Sequence, residues 1–332
     1  MMNKIKARIT GLGSYLPEKI LTNQDLEALV DTSDEWITSR TGIKERRIAA
    51  ADEFTSDMGF KAAEKAIAQA RVSVKDIDMI LVATMTPDYA SPSTAGIIQA
   101  KLGATKAAAM DVQAACTGFI YVLSLAKAYI ESGIYCQVLV IASEKMSSIL
   151  DYTDRNTCVI FGDGAAAAVV SAAGAGFAIE TVDLGSDGSL ADLVVIPGGG
   201  SRHPASHEVV DQKLCYIKMA GREVFKHAVR RMAAAARECL ARSSMAMEDL
   251  AWLVPHQANI RIIEAIASNL DFPMEKIYLT LQKYGNTSGS SVAIALEELV
   301  SKKDLKEDDR LLLLAFGGGL TWGATILRKC SE

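Results

Sequence analysis

Cys116 ends an apolar, strand-like run and opens a helix-like one in Asp111-Val-Gln-Ala-Ala-Cys-Thr-Gly-Phe-Ile-Tyr121. At such a junction unpaired backbone N–H groups and the positive end of a helix dipole favour a thiolate, the form that attacks acyl carbons. Two later segments offer helpers, Val254-Pro-His256-Gln-Ala-Asn259 and Tyr284-Gly-Asn286-Thr-Ser-Gly289. One thiol, one imidazole and one carboxamide make a set for acyl-transfer chemistry. His256 follows an apolar run at the expected carboxyl end of a strand, where open α/β sheets place ligands. His203, His207 and His227 lack that setting, and Cys136, Cys158, Cys215, Cys239 and Cys330 read as small buried hydrophobes.

The elements that must position these residues occur twice. Asp76–Ala83 resembles Asp249–His256, and Val138–Ala142 resembles Leu311–Ala315, at one common spacing; Thr117-Gly118 matches Ser288-Gly289 at nearly the same spacing. Three matches in order point to a duplication. Thr55–Ala70 and Ala220–Ala241 carry helical periodicity, whereas Met79–Ala83, Val138–Ala142 and Leu311–Ala315 are short continuous apolar runs, as expected of strands covered on both faces. The implied architecture is layered α/β, with the Ala172–Gly176 stretch as the join between halves. Pseudo-twofold symmetry would then bring Cys116, His256 and Asn286 to one site.

The 332 residues are 50% hydrophobic and 23% charged, the profile of a soluble globular enzyme, and a net charge of -5 argues against nucleic-acid binding. The six cysteines are widely spaced and form no C-x-x-C pair, so neither a disulfide scaffold nor a metal site is expected. The start, Met-Met-Asn-Lys-Ile-Lys-Ala-Arg-Ile, has no long apolar leader, and no apolar run reaches the roughly 18 residues of a membrane span. A cytoplasmic protein without membrane attachment is expected. Gly11-Leu-Gly13 lacks the third glycine of a dinucleotide fingerprint and no phosphate loop occurs, so neither NAD nor ATP is implied.

Further motifs run through the chain in order: Asp34-Glu-Trp-Ile, Arg40-Thr-Gly-Ile-Lys-Glu-Arg-Arg47, Ala114-Ala-Cys-Thr-Gly-Phe119, Phe161-Gly-Asp-Gly-Ala165, Pro255-His-Gln-Ala-Asn259, Gly285-Asn-Thr-Ser288 and Phe316-Gly-Gly-Gly-Leu-Thr-Trp-Gly323. With these the chain resembles, over essentially its whole length, the β-ketoacyl-acyl-carrier-protein synthase III family of the thiolase superfamily. The resemblance implies a thiolase-like α-β-α-β-α fold of two duplicated halves, residues 1–174 with the nucleophilic cysteine and 175–332 with the histidine and asparagine. It implies that acetyl-CoA, or another short acyl-CoA, acylates Cys116. Decarboxylative condensation with malonyl-acyl carrier protein (ACP) would then give 3-oxoacyl-ACP, CO2 and CoA, the first step of type II fatty acid synthesis.

The same resemblance assigns roles. His256 and Asn286 donate to the malonyl thioester oxygen, while the N–H groups of Cys116 and Gly318 form the oxyanion hole for acyl transfer. Trp36, Arg40, Arg155 and Asn259 line the tunnel for CoA and the phosphopantetheine arm, an indole stacking on adenine and guanidinium groups meeting phosphates. No cofactor is held permanently, no metal is used, and the enzyme is a homodimer. Arg222, Lys226 and Arg230 recur at four-residue spacing with Arg261 nearby, a stripe suited to the acidic ACP, although Ser268-Asn269 replaces basic residues that relatives carry. Ser91 stands where relatives place a bulky apolar residue that crosses the dimer and limits the acyl pocket; a serine loosens that limit. Phe161-Gly-Asp-Gly-Ala is read as structural, and Trp252 and Trp322 as packing residues.

Three rivals were weighed. A polyketide-type condensing enzyme using malonyl-CoA shares the Cys, His and Asn set. A papain-like protease shares their chain order but lacks that family's local signature around the cysteine. A non-catalytic ACP-binding module would leave the triad without purpose.

Overall fold

The computed structural model describes residues 6–331; the Met1–Ile5 stretch, on which the absence of a leader partly rests, lies outside them. Nine strands form one mixed sheet: β1 (Arg8–Tyr15), β2 (Met79–Ala83), β3 (Ala108–Val112), β4 (Gln137–Glu144), β5 (Gly164–Ser171), β6 (Gly176–Ser186), β7 (Leu250–Pro255), β8 (Arg310–Gly317) and β9 (Thr321–Cys330). Their order is β7-β8-β9-β6-β1-β5-β4-β2-β3. Among the described residues the middle is thin, because β1 and β6 pair through Arg8 with Ala178 and Ile9 with Phe177.

On either side of that seam the plan repeats. β2 runs parallel to β3 and β4, then β4, β5 and β1 alternate in direction. Likewise β7 runs parallel to β8, then β8, β9 and β6 alternate, and Leu253 bridges Ile277 in parallel where a counterpart of β3 would lie. The expected join at 172–176 falls in the turn between β5 and β6.

Six helices matter for the site: α1 (Asp34–Thr41), α2 (Thr55–Ala70), α3 (Gly118–Glu131), α4 (Gly221–Arg242), α5 (Ile260–Leu270) and α6 (Ser291–Lys302). Alternate residues of the buried strands face opposite layers, as the two-residue pleat requires. Val138, Val140 and Ala142 share one core with Leu311, Leu313 and Ala315, and that core is filled by α3 (Phe119, Leu123) and α6 (Val292, Leu296). Leu139 and Ile141 face outward onto α2, while Leu312, Leu314 and Phe316 face outward onto α4 and α5. The layers are therefore helix, sheet, helix, sheet, helix, with α3 and α6 buried in the middle.

These central helices each follow one tight turn, Ala115–Thr117 and Ser288–Ser290. Both turns open on a non-glycine residue in the left-handed region, Ala115 at φ 45° and Ser288 at φ 52°. The counterpart of Ala115-Cys116-Thr117 is thus Ser288-Gly289-Ser290, which shifts the sequence match of Thr117-Gly118 with Ser288-Gly289 into the common spacing of the two strand repeats.

The cysteines need one correction. Cys158, Cys239 and Cys330 are buried, but Cys136 is exposed and Cys215 half-buried. Both lie on connections between elements, which run over the surface. Gly11 and Gly13 serve packing instead of a nucleotide: a Cβ on Gly13 would lie 2.4 Å from the Ala62 carbonyl oxygen, so β1 and α2 touch backbone to backbone. Gly13→Ala should therefore cost about 1–3 kcal/mol. Urea unfolding followed by circular dichroism checks this, and an unchanged midpoint would contradict the close contact.

Candidate active site

Cys116, His256 and Asn286 line one cavity of about 1320 Å³, together with Gly317 and Gly318 and the apolar side chains of Met85, Ile196 and Ile217. The two tight turns meet there. Cys116 lies half-buried at the start of α3, and its thiol donates to Ser288 Oγ at 3.5 Å. A Cβ on Gly317 would lie 2.6 Å from the Cys116 nitrogen, so the end of β8 runs against the Cys116 backbone. Only glycine permits that approach.

Burial opposes the thiolate that the helix N-terminus favours. Burial pushes the Cys116 thiol up to about 12, the Glu144 carboxylate adds to the rise, and the Ser288 hydrogen bond opposes it. The helix N-terminus acts against the rise too.

His256 caps the end of β7, 4% exposed, with its backbone N–H donating to the Leu314 carbonyl at 2.7 Å. Its Nδ1 lies 2.6 Å from Ser291 Oγ. That oxygen also accepts the Gln257 N–H at 3.3 Å, and the Ser291 hydroxyl has no other hydrogen-bond acceptor among the described residues, so its own proton is placed on the bond to Nδ1 and the ring proton is assigned to Nε2. Burial holds the imidazole well down, to about 3, so it is neutral at physiological pH. Asn286 is oriented by the same device. Its Oδ1 accepts the Ser288 N–H at 2.8 Å, leaving the Nδ2 donors free for a ligand. Its backbone is clamped on both sides, N–H to the Ile160 carbonyl at 3.0 Å and carbonyl to the Gly162 N–H at 3.0 Å. The Phe161-Gly-Asp-Gly motif is therefore the strut under Asn286, and Asp163 anchors it by accepting from Ala49 N at 2.8 Å, Ser147 N at 2.8 Å and Ser147 Oγ at 2.6 Å.

Sequence reasoning passed over Glu144, the last residue of β4. It is 0% exposed, accepts from Ser288 Oγ at 3.1 Å, and is raised to about 7 by burial, its four hydrogen-bond donors opposing. One signal was available: a carboxylate closing the apolar run Val138–Ala142 at the end of a strand aimed at the site.

Of the residues expected to meet CoA and the carrier arm, Arg40 and Asn259 line the cavity, while Trp36 and Arg155 do not but cluster beside Arg40. Ser33 caps α1, accepting the Trp36 N–H at 3.1 Å, and places Trp36 and Arg40 on one helix face. Two guanidinium groups lie over the Trp36 ring, Arg40 at 4.7 Å and Arg155 at 5.1 Å, and Arg155 is fixed by the Asp31 carbonyl at 2.9 Å. Asn259 caps α5, its Oδ1 accepting the Arg261 N–H at 2.9 Å, so its Nδ2 is also left as a donor. Arg40, Asn259, Arg222, Lys226 and Arg261 all line the cavity. Arg230 does not; it lies further along α4 beside His227 at 3.4 Å. Ser268 and Asn269 sit at the far end of α5, where Asn269 holds Arg237 at 2.6 and 2.8 Å. Ser91 lies on an exposed loop and is not part of this chain's cavity wall, whereas Met85, whose Sδ accepts from Ser288 Oγ at 3.4 Å, is. Among the described residues no group of three or more His, Cys, Asp or Glu is placed to hold a metal ion.

Comparison with known proteins gives concordant matches. The family model described as 3-oxoacyl-[acyl-carrier-protein (ACP)] synthase III matches residues 110–188, and the model of that family's C-terminal part matches residues 240–329. A beta-ketoacyl-[acyl-carrier-protein] synthase III of Chlamydia muridarum is 56% identical over 98% of this chain and 100% of its own. The crystal structure of 3-oxoacyl-[acyl-carrier-protein] synthase III from Aquifex aeolicus superposes with a TM-score of 0.89 at 46% identity, covering 97% of this chain and 99% of its own. The corresponding Thermus thermophilus enzyme gives 0.91 at 43% identity, covering 98% and 100%.

The Ser291 hydroxyl is the cheapest place to disturb this geometry. Ser291→Ala leaves Nδ1 of a buried imidazole without a partner and frees the tautomer, at a cost of about 1–3 kcal/mol to any step that uses the Nε2 proton. Single-turnover assays should show the loss in the step after cysteine acylation, with acylation itself little changed; equal loss in both would refute the tautomer assignment.

Proposed function

The chain belongs to the 3-oxoacyl-[acyl-carrier-protein] synthase III family and is a condensing enzyme that initiates fatty acid synthesis, and from that premise we propose that Cys116 is its nucleophile and that His256 and Asn286 drive the condensation. An acyl group passes from acetyl-CoA or another short acyl-CoA to Cys116, its carbonyl oxygen resting on the N–H groups of Cys116 and Gly318. Malonyl-ACP then replaces CoA in the same tunnel. As CO2 leaves, negative charge builds on the malonyl thioester oxygen and is met by His256 Nε2–H and Asn286 Nδ2–H. The enolate carbon attacks the acyl carbon, giving 3-oxoacyl-ACP and free Cys116.

The observation that carries this is the disposition of acceptors. His256 Nδ1 and Asn286 Oδ1 are both occupied by partners in the protein, which leaves N–H donors for the cavity that holds the Cys116 thiol. A hydrolase would need a base there, and a neutral imidazole held to about 3 is a poor one. The polyketide-type alternative is not favoured, since the relative at 56% identity over its full length is a β-ketoacyl-ACP synthase III.

Around this centre we read Trp36, Arg40, Arg155 and Asn259 as the CoA and phosphopantetheine contacts. Arg222, Lys226 and Arg261, with Arg230 beyond them, form the ACP face; Lys226 is engaged by Glu223 at 2.8 Å on the surface, a pair worth little and easily exchanged for a carrier carboxylate. A homodimer fits the free edge of β3, which pairs only with β2 and would otherwise expose unpaired N–H and C=O groups. In that dimer the exposed Ser91 loop belongs against the partner's acyl pocket. Residues 1–174 and 175–332 act as two fused halves, and the dependence on acyl-CoA and ACP makes the cytoplasm the working compartment.

Intact-protein mass spectrometry with peptide mapping tests the core of this. Acetyl-CoA should add one acyl group to Cys116, and malonyl-ACP should remove it as 3-oxoacyl-ACP; an adduct elsewhere, or none from any acyl-CoA, sinks the assignment. His256→Ala and Asn286→Ala should each slow condensation about a hundred- to thousandfold while leaving Cys116 loading largely intact. The pH response separates the roles further. Because the His256 value is lowered in the fold, the imidazole stays neutral as pH falls, and decarboxylation by acylated enzyme should show no His-dependent loss between about pH 8 and about pH 5. A loss centred near about 6.5, the free imidazole value, would mean that His256 titrates in the site.

A further inference from the structure

We propose that Glu144 takes up the Cys116 thiol proton through Ser288 during acyl loading, stores it while the cysteine is acylated, and returns it when condensation frees the thiolate. This rests on Cys116 being the acylated residue.

The three groups form an unbroken line. The Cys116 thiol donates to Ser288 Oγ at 3.5 Å, and the Ser288 hydroxyl donates to Glu144 Oε1 at 3.1 Å. The two carboxylate oxygens are not equivalent. Oε2 accepts from Thr84 Oγ1 at 3.2 Å, Met85 N at 3.0 Å and Thr86 Oγ1 at 2.8 Å, which fills it. Oε1 receives Ser288 alone, so it is the oxygen with room for a proton. Glu144 is completely buried and has no Lys or Arg within ion-pair distance among the described residues. The neighbouring Lys145 turns its Nζ away, to the carbonyls of Ala50 at 2.8 Å and Glu53 at 2.6 Å. A buried carboxylate without a cationic partner carries a desolvation cost that an apolar or amide side chain would not, so it is poorly suited to a purely structural task. Cys116 is the titratable side chain that faces it, and the Glu144 charge acts on that thiol. Burial brings the carboxyl to about 7, where it both gains and loses a proton readily.

The thiol proton also lacks another home. His256 already takes the Ser291 hydroxyl proton on Nδ1 and carries its own on Nε2. In the relay the Cys116 S–H bond breaks as sulfur bonds to the acyl carbon; the proton moves to Ser288 Oγ, whose own proton moves to Glu144 Oε1. CoA departs as its thiolate and is protonated by water. In condensation the malonyl carboxylate leaves as CO2, the new carbon–carbon bond forms, Cys116 departs as thiolate, and Glu144 returns its proton through Ser288. Charge balances over the cycle, with one proton taken from solvent by CoA. Glu144 touches no substrate and acts as a positioning residue for that proton.

Iodoacetamide alkylation of Cys116 in the full-length enzyme, followed by peptide mapping across about pH 6 to about pH 9, separates this from a simple charge effect. In the wild type the rate should follow an ionisation near 7. Glu144→Gln should slow alkylation and acetyl loading about a hundredfold at neutral pH and abolish that ionisation, and Glu144→Asp should keep it. If Glu144 acted only by its charge, removing the charge would make the thiol more reactive, so a faster or unchanged rate in Glu144→Gln overturns the proposal. Should Glu144→Gln fail to fold, Ser288→Ala decides: it leaves the carboxylate in place and cuts the relay, and undiminished alkylation there also overturns it. Normal alkylation of Cys116 with no acyl adduct from any acyl-CoA would instead count against the condensing role of this cysteine.

Discussion

Two helix N-termini must meet almost in contact for this site to exist, and most of the fold follows from that requirement. Ala115 and Ser288 turn the chain in the left-handed region, a strained choice for residues with a Cβ. The space between the turns admits almost no side chain. A Cβ on Gly118 would lie 2.8 Å from Ala83 Cβ, one on Gly289 would lie 3.0 Å from the Ala115 carbonyl, and one on Gly317 would strike the Cys116 nitrogen. Such crowding holds only if the helices behind the turns are immobile, and both are enclosed by sheet on two sides in a single core. The five-layer architecture is thus the clamp that pays for strain at two residues.

A second economy runs through the site: donors are created by satisfying acceptors. Asn286, Asn259 and His256 could each present either polarity to a ligand. In every case a neighbouring backbone or hydroxyl group occupies the acceptor, an N–H two residues on for both asparagines and Ser291 for the histidine. The remaining N–H groups need no reorientation when negative charge appears, which is the main electrostatic advantage of a folded site over water. At the mouth the logic is reversed. Four cationic side chains, Arg40, Arg222, Lys226 and Arg261, stay near solvent and contribute long-range attraction that salt weakens.

Much of this was legible in the residues. Strand runs such as Met79–Ala83 and the Thr55–Ala70 helix match the sequence periodicity to the residue, because burial on both faces or on one stripe leaves a direct hydrophobic signature. The duplication was visible too, although local similarity misaligned the turns: the left-handed residue of each turn, Ala115 or Ser288, defines the equivalence and has no side-chain signature. Cys116, His256 and Asn286 were found by type and context. Hidden from view were the groups that orient them. Nothing local marks Ser291 as the partner of His256, Gly162 as the strut of Asn286, or Glu144 as the neighbour of Ser288, because each contact spans distant parts of the chain. The balance that sets the ionisation of Cys116 is hidden for the same reason. The helix dipole is readable from sequence; burial and a nearby carboxylate are not.

A thiol proton kept off the histidine suits the condensation step proposed above, in which Cys116 carries the acyl group. If the histidine took the thiol proton it would become imidazolium, an acid strong enough to protonate the enolate and end the reaction before a carbon–carbon bond forms. A neutral imidazole polarises the same oxygen without surrendering its proton. In the mechanism proposed above, burial that holds His256 to about 3 would protect the carbanion by keeping the imidazole neutral. The condition it imposes is that the thiol proton be kept elsewhere, out of reach of the enolate and close enough to return to sulfur. Beneath Ser288, shielded from the cavity and tied by three donors on its other oxygen, the Glu144 carboxylate meets both demands. Acid and hydrogen-bond donor are thereby assigned to different residues, one from each half of the duplicated chain.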